Sequence, residues 1–339
     1  MRFHHRLTCN PTCRTTRRFT AHLTAALLAA LCIAPAAIAQ DVFPSRPVRL
    51  IVPVAAGGGI DTAFRTIGPV WAELLGQPVV IENKPGGGQI VGSDLVAKAK
   101  PDGYTLLAAG VPIAFNTALG RKLPYDALKD FTPVSEVVSQ PLLIVVNPNV
   151  PVKNIGELVA YARKQSAPLQ YTTGGIGSYG HLWWEMFRLK QGIDGQHVAY
   201  NGIAPALKDT VGGQVPLLID AIVPTGAQIK AGTVRGLAIV SATRSKMLPD
   251  LATLSEQGYA GLDAAPFYGV LGPANLDPAA LQKLSSTLTQ ALASAALREK
   301  LQEQGFDVIA STPEVYAKLI RAEIERWSKV VKDAGIVVE

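Results

Sequence analysis

The chain has 339 residues, with 32 Lys and Arg against 26 Asp and Glu and a formal charge of +6. Arg2, Arg6, Arg14, Arg17 and Arg18 crowd the start with no acid among them, so the basic excess belongs to one end and implies no nucleic-acid partner for the body. Cys9, Cys13 and Cys32 all precede residue 40, which leaves the rest without disulfide, thiol or thiolate-metal chemistry.

The basic start runs into an apolar stretch at 25–38 that closes with Ala37-Ile38-Ala39. This is the pattern of an export signal over residues 1–39, cut before Gln40. The stretch is too short and too Ala-rich to span a bilayer. Arg17-Arg18 points toward twin-arginine export, with a weak match after the pair, so the route stays open between that and the general one. Leu31 is bulky where a lipid anchor on Cys32 needs a small residue. The expectation is a soluble, monomeric periplasmic protein whose body carries 27 basic and 26 acidic residues. Roughly 300 residues suffice for two domains. His181 and His197 are its two histidines, and their spacing suits no dedicated metal site. Neither metal nor cofactor is expected.

Strands and helices alternate, which predicts an α/β fold with mainly parallel sheets. The pattern gives a strand at 48–54, a helix at 62–75 stopped by Gly76, a strand at 79–83, a helix at 92–99 and a strand at 105–109. A short helix around 114–119 leads to a connecting region at 131–140 and a strong strand at 142–146. A helix at 155–164, a strand at 169–172, a helix at 181–191 and a strand at 197–200 follow. The remainder reads as a helix from 205, strands at 217–221, 236–240 and 267–271, and long helices at 278–304 and 313–334. Segments 137–146 and 267–273 are candidate crossovers between two lobes. They give lobe 1 as 40–141 with 266–339, and lobe 2 as 142–265.

Gly57-Gly58-Gly59 lies between the first strand and the first helix. Unpaired N–H groups of such a turn, together with the positive helix end, favour an anion. Similar strand–glycine–helix passages recur at 84–93 and 172–181. Gly175, Gly177 and Gly180 have dinucleotide-fingerprint spacing, but the next strand ends in Asn201 rather than an acid, which favours a glycine turn that approaches a small anion. Ser178 near His181 invites a hydrolase reading, yet Ile176 stands where a nucleophile elbow needs glycine. Ser178 is read instead as a helix cap or ligand contact, and Asp61 as a cap that orders the glycine loop. Asp220, at a strand end, is read as a loop organiser or an anchor for water or an amine. Trp183 and Trp184 are expected to pack.

Several runs occur in order along the chain: Phe43-Pro44-Ser45-Arg46-Pro47-Val48-Arg49, Gly57-Gly58-Gly59-x-Asp61, Glu82-Asn83-Lys84-Pro85-Gly86, Pro101-Asp102-Gly103-Tyr104, Leu123-Pro124-Tyr125-Asp126 and Gly212-Gly213-Gln214-Val215. By these runs the chain resembles the extracytoplasmic solute receptors of tripartite tricarboxylate transporters, the Bug family. The resemblance implies a type II periplasmic-binding-protein fold: two α/β lobes joined by two hinge strands with a ligand cleft between them. It implies a receptor, not an enzyme, that delivers a small carboxylate to a membrane permease and holds it largely through backbone amides and water. The positions it points to are Ala55, Ala56, Gly57, Gly58, Gly59 and Asp61 in the first loop and Gly110 beside it. In the second lobe they are Thr173, Gly175, Gly177 and Ser178, supported by Asn201, Gly202 and Asp220.

The chain departs from the family pattern at Val54-Ala55-Ala56, Ile176, Tyr179, Trp183-Trp184 and Asn201. These departures suggest a less polar pocket that prefers one carboxylate on an apolar or aromatic body, unless Tyr179 fills the space and selects smaller ligands. Two alternatives remain at this level. One is an exported α/β enzyme such as an esterase; the other is a ligand-sensing subunit of a signalling system.

Overall fold

A computed structural model of the chain describes Met1 and residues 43–336 apart from Asn201 and Asp263. The export signal and Asn201 therefore lie outside the described residues. Chain order begins with β1 (Val48–Val52), α1 (Gly59–Leu75), β2 (Val79–Asn83), α2 (Ile90–Ala97), β3 (Thr105–Gly110) and α3 (Pro112–Ala118). It continues with β4 (Phe131–Ser139), β5 (Leu142–Val146), α4 (Ile155–Lys164), β6 (Leu169–Thr172), α5 (Tyr179–Gln191) and β7 (Gly195–Val198). Then come α6 (Ile203–Val211), β8 (Leu217–Ala221), α7 (Ile222–Lys230), β9 (Arg235–Val240) and β10 (Phe267–Pro273). The chain closes with α8 (Pro278–Ala293), α9 (Ala295–Glu303), β11 (Asp307–Val308) and α10 (Pro313–Ala334).

Two mixed sheets make two lobes. The first has strand order β11-β4-β10-β3-β1-β2 and the second β7-β6-β8-β5-β9. The expectation of mainly parallel sheets needs correction. Pairs β1–β2, β1–β3, β6–β7 and β6–β8 are parallel. Pairs β3–β10, β4–β10, β4–β11, β5–β8 and β5–β9 are antiparallel. The antiparallel pairs arise where the chain leaves the first sheet after Ser139 and rejoins it at Phe267. The Gln140 N–H donates to the Pro266 carbonyl at 2.9 Å, which ties the two crossings together.

Besides the short strand β11, which the pattern lacks, three elements differ from the sequence pattern. The connecting region at 131–140 is the nine-residue strand β4, buried between β10 and β11. Its Pro133, Ser135 and Glu136 break apolar periodicity, and Pro133 is tolerated beside a register shift against β10. Helix α7 was not expected, because Pro224 and Gly226 lower its propensity; Pro224 fits in the first turn, where no intrahelical N–H bond is lost. The long helix at 278–304 is two helices, since Ser294 is extended (φ −60°, ψ 122°) and starts the second.

Signals at other helix ends behave as written. Gly76 takes a left-handed conformation (φ 76°) after α1. Asn154 and Thr312 accept N–H bonds from Glu157 and Val315 as N-caps of α4 and α10. In the first lobe Trp71 and Phe64 of α1 are fully buried, with Leu284 and Leu288 of α8 in the same core, and the Trp71 indole N–H donates to Thr287 Oγ1 at 3.1 Å. An aromatic seam joins the lobes. Tyr179 of α5 stacks on Phe115 of α3 at 5.2 Å and 10°, and Trp327 of α10 meets both edge-on.

Candidate functional site

A cavity of about 420 Å³ opens between the two sheets. Its walls are built from helix starts. Gly59 and Ile60 open α1, Ser178, Tyr179 and Gly180 open α5, Ile203 opens α6, and Ala221 caps α7. The first N–H groups of a helix have no partner within it and carry its positive end. Several such ends around one space favour an anion without any cationic side chain. Among the described residues no Lys, Arg or His lines the cavity.

Each loop is fixed by its own side chains. Asp61 is 2% exposed and points back to the first loop. It accepts from the Gly57 N–H at 2.8 Å, Arg65 Nε at 2.9 Å and Asn83 Nδ2 at 2.8 Å. Burial pushes its carboxyl up, but Arg65, the Gly57 N–H and Asn83 outweigh burial and hold it below the usual range. Gly59 is required by close approach, since a Cβ there would stand 2.7 Å from the Tyr268 hydroxyl. In the second loop Thr173 Oγ1 accepts from the Gly175 N–H at 3.2 Å and is joined by Ser178 Oγ at 3.0 Å and His197 Nε2 at 3.0 Å. Ser178 Oγ accepts the His181 N–H as N-cap of α5. The Nδ1 of His181 accepts the Gly177 N–H at 3.1 Å, so no Ser178–His181 nucleophile–base bond forms.

His181 and His197 stack at 4.1 Å. Burial lowers the His181 pKa, and burial together with His181 takes His197 down to about 4, so both rings are neutral at pH 7. Asp220 lines the cavity at the end of β8. Burial raises its pKa to about 6, partly offset by the N–H groups of Ala221 and Gly174. Tyr268 is raised too, by burial and by the Asp220 carboxylate. Gln140 donates through Nε2 to the Tyr268 hydroxyl, while its Oε1 is buried without a partner.

Of the residues singled out by sequence, Gly59, Gly177, Ser178 and Asp220 line the cavity. Ala55, Ala56 and Gly57 form an exposed outer turn, and Gly58 caps α1. Asp61 braces that turn from behind. Gly110 is buried at the end of β3, under Ile60. Thr173 and Gly175 are buried within the second loop. Gly202 caps α6. Among the departures, Val54 and Tyr179 line the cavity. Trp183 and Trp184 sit in the core beneath α5, and Ile176 is 53% exposed. Sequence reasoning missed Gln89, Phe115, Gln140 and Tyr268. Two of these carried a signal: Gln140 and Tyr268 lie in the two segments read as crossovers.

The family described as "Tripartite tricarboxylate transporter family receptor" matches residues 63–336. The chain is 34% identical to Protein BugT of Bordetella pertussis over 302 residues, 88% of this chain and 93% of that one. An R. palustris protein solved with adipate is 35% identical, with TM-score 0.78, covering 87% of this chain and 99% of that one. MatC from Rhodopseudomonas palustris with bound malate is 32% identical, with TM-score 0.73, covering 85% and 100%.

Proposed function

The chain belongs to the tripartite tricarboxylate transporter receptor family, and from that membership we propose that it is a periplasmic receptor that captures a small carboxylate and delivers it to the membrane permease of such a transporter. The observation that carries this reading is the meeting of helix starts from both lobes on one cavity that, among the described residues, no cationic side chain lines. Adipate and malate occupy the two solved relatives, and a related small acid is the natural cargo here. Ligand enters between lobe 1 (40–141 with 266–339) and lobe 2 (142–265). Its carboxylate meets the amides of Gly59 and Ile60, and the lobes close through Gly177 and Ser178. Closure is favoured by contacts that exist only when both lobes engage the ligand. The mature protein begins at Gln40, acts as a monomer and catalyses nothing. The engagement of Ser178 with Thr173 and of His181 with Gly177 supports this last point.

A thermal-shift screen of residues 40–339 against mono-, di- and tricarboxylates tests the proposal. A ligand at 100 times its dissociation constant stabilises by about 2.7 kcal/mol. For a chain of this size that is a melting shift of roughly 4 °C. Silence of folded, ligand-stripped protein toward every acid would refute the reading.

A further inference from the structure

The two halves of the cavity carry different charge. On the first-lobe side the carboxylate of Asp61 is matched by the Arg65 guanidinium at 2.9 Å. That loop is therefore neutral, and the amides of Gly59 and Ile60 are left to an incoming anion. On the second-lobe side Asp220 has no cation opposite it among the described residues. Its near neighbours are the N–H groups of Gly174 and Ala221 and, on β10, the hydroxyl of Tyr268. The two ring systems behind the second loop, His181 on α5 and His197 on β7, are held neutral. Arg188 of α5 is spent on Glu185. Gln140 does not add a second acceptor there, because its amide lies against Gly59 and is engaged by the Tyr268 hydroxyl.

The first-lobe wall thus offers donors and the second-lobe wall offers a carboxylate. A dianion filling the length would set its second carboxylate near Asp220 in a partly desolvated space. Like charges there are screened far less than in water. A primary amide there instead presents N–H donors to the Asp220 carboxylate, and an acceptor left without a donor in a desolvated space is costly.

Resting on the receptor reading above, we propose that the cavity selects monoanions, with a single carboxylate seated on the Gly59 and Ile60 amides and an uncharged hydrogen-bond-donating end, of the primary amide class, against Asp220.

The test is calorimetric titration of the mature chain at pH 8 with two matched pairs, succinate and succinamate, and adipate and 5-carbamoylpentanoate. The monoamide of the pair that fits the cavity should bind at least tenfold more tightly than its diacid. Asp220→Asn should tighten the diacid at least tenfold and leave the monoamide within about threefold. The wild-type protein supplies a second reading that needs no variant. Between pH 8 and pH 5.5 diacid affinity should rise beyond what ionisation of the diacid accounts for, while monoamide affinity stays flat, because Asp220 takes up a proton near pH 6. A diacid that binds wild type as tightly as its monoamide at pH 8, with no pH-dependent gain, overturns the selectivity and leaves the receptor reading standing. Binding of none of the four acids overturns the selectivity, and silence in the wider carboxylate screen as well overturns the receptor reading.

Discussion

Glu136 on β4 is 9% exposed, and its carboxyl faces Glu323 of α10. Burial, then the Glu323 charge, raises its pKa from the ordinary 4.5 to about 7. Burial raises Glu323 as well, eased by the Trp327 indole N–H and by Arg326. The folded protein therefore keeps a proton on Glu136 that the unfolded chain gives up above pH 4.5. Stability linked to this group is full below pH 4.5 and falls as pH rises to about 7. At about 1.4 kcal/mol per pKa unit, the loss amounts to about 3 kcal/mol.

Glu136→Gln keeps the shape of the side chain and removes the ionisation. At pH 8 the variant should be more stable than wild type by up to about 3 kcal/mol, and at pH 4.5 the gain should vanish. For some 300 residues, about 1 kcal/mol moves the melting temperature by roughly 1.6 °C, so the pH 8 gain is about 5 °C. Thermal melts of both proteins at pH 4.5, 6, 7 and 8, with urea midpoints at the extremes, measure it. Any packing penalty of the amide is the same at every pH, so the pH-dependent part isolates the charge. A difference in melting temperature that is constant from pH 4.5 to pH 8 would refute the reasoning.

Gly180→Ala places a Cβ 2.2 Å from the Ile219 carbonyl oxygen, backbone against backbone. It should cost more than about 3 kcal/mol in urea unfolding, and an unchanged midpoint would mean that α5 can slide off β8. Asp61→Ala strands the Gly57 N–H, Arg65 and Asn83, at a cost of about 2–4 kcal/mol at pH 7. Because the Asp61 pKa is lowered on folding, that cost should shrink as pH falls below 3.8, and a penalty of the same size at pH 3 and pH 7 would count against the ion pair. Tyr179→Ser removes the stack on Phe115 and the edge contact with Trp327, for a loss of about 2–4 kcal/mol. Small-angle scattering should show a larger radius of gyration for the ligand-free variant, and no change would place the lobe contact elsewhere.

The local grammar of the chain was legible without the fold. Apolar runs such as Leu50-Ile51-Val52 and Leu142 to Val146 can only be buried strands, and Gly76 and Gly192 stop helices by taking left-handed backbone. Glycine turns that open helices were legible for the same reason, but the Gly57, Gly175 and Gly177 N–H groups are taken by Asp61, Thr173 and His181, which lie within the same local segments. Strand β4 was not legible, because the residues that bury Pro133 and Glu136 lie on β10 and α10, more than a hundred positions away. Nor was the cavity wall. Gln140 and Tyr268 meet across 128 positions, and although each lies in a segment read as a crossover, neither neighbourhood shows that the two side chains bond. Sequence by itself determined where glycine turns open helices, because that depends on neighbours in the chain. Tertiary structure alone decided that Asp61 is neutralised by Arg65 while Asp220 lines the cavity with no cation opposite it among the described residues. The energy of a charge depends on what surrounds it in space and on how much water it keeps.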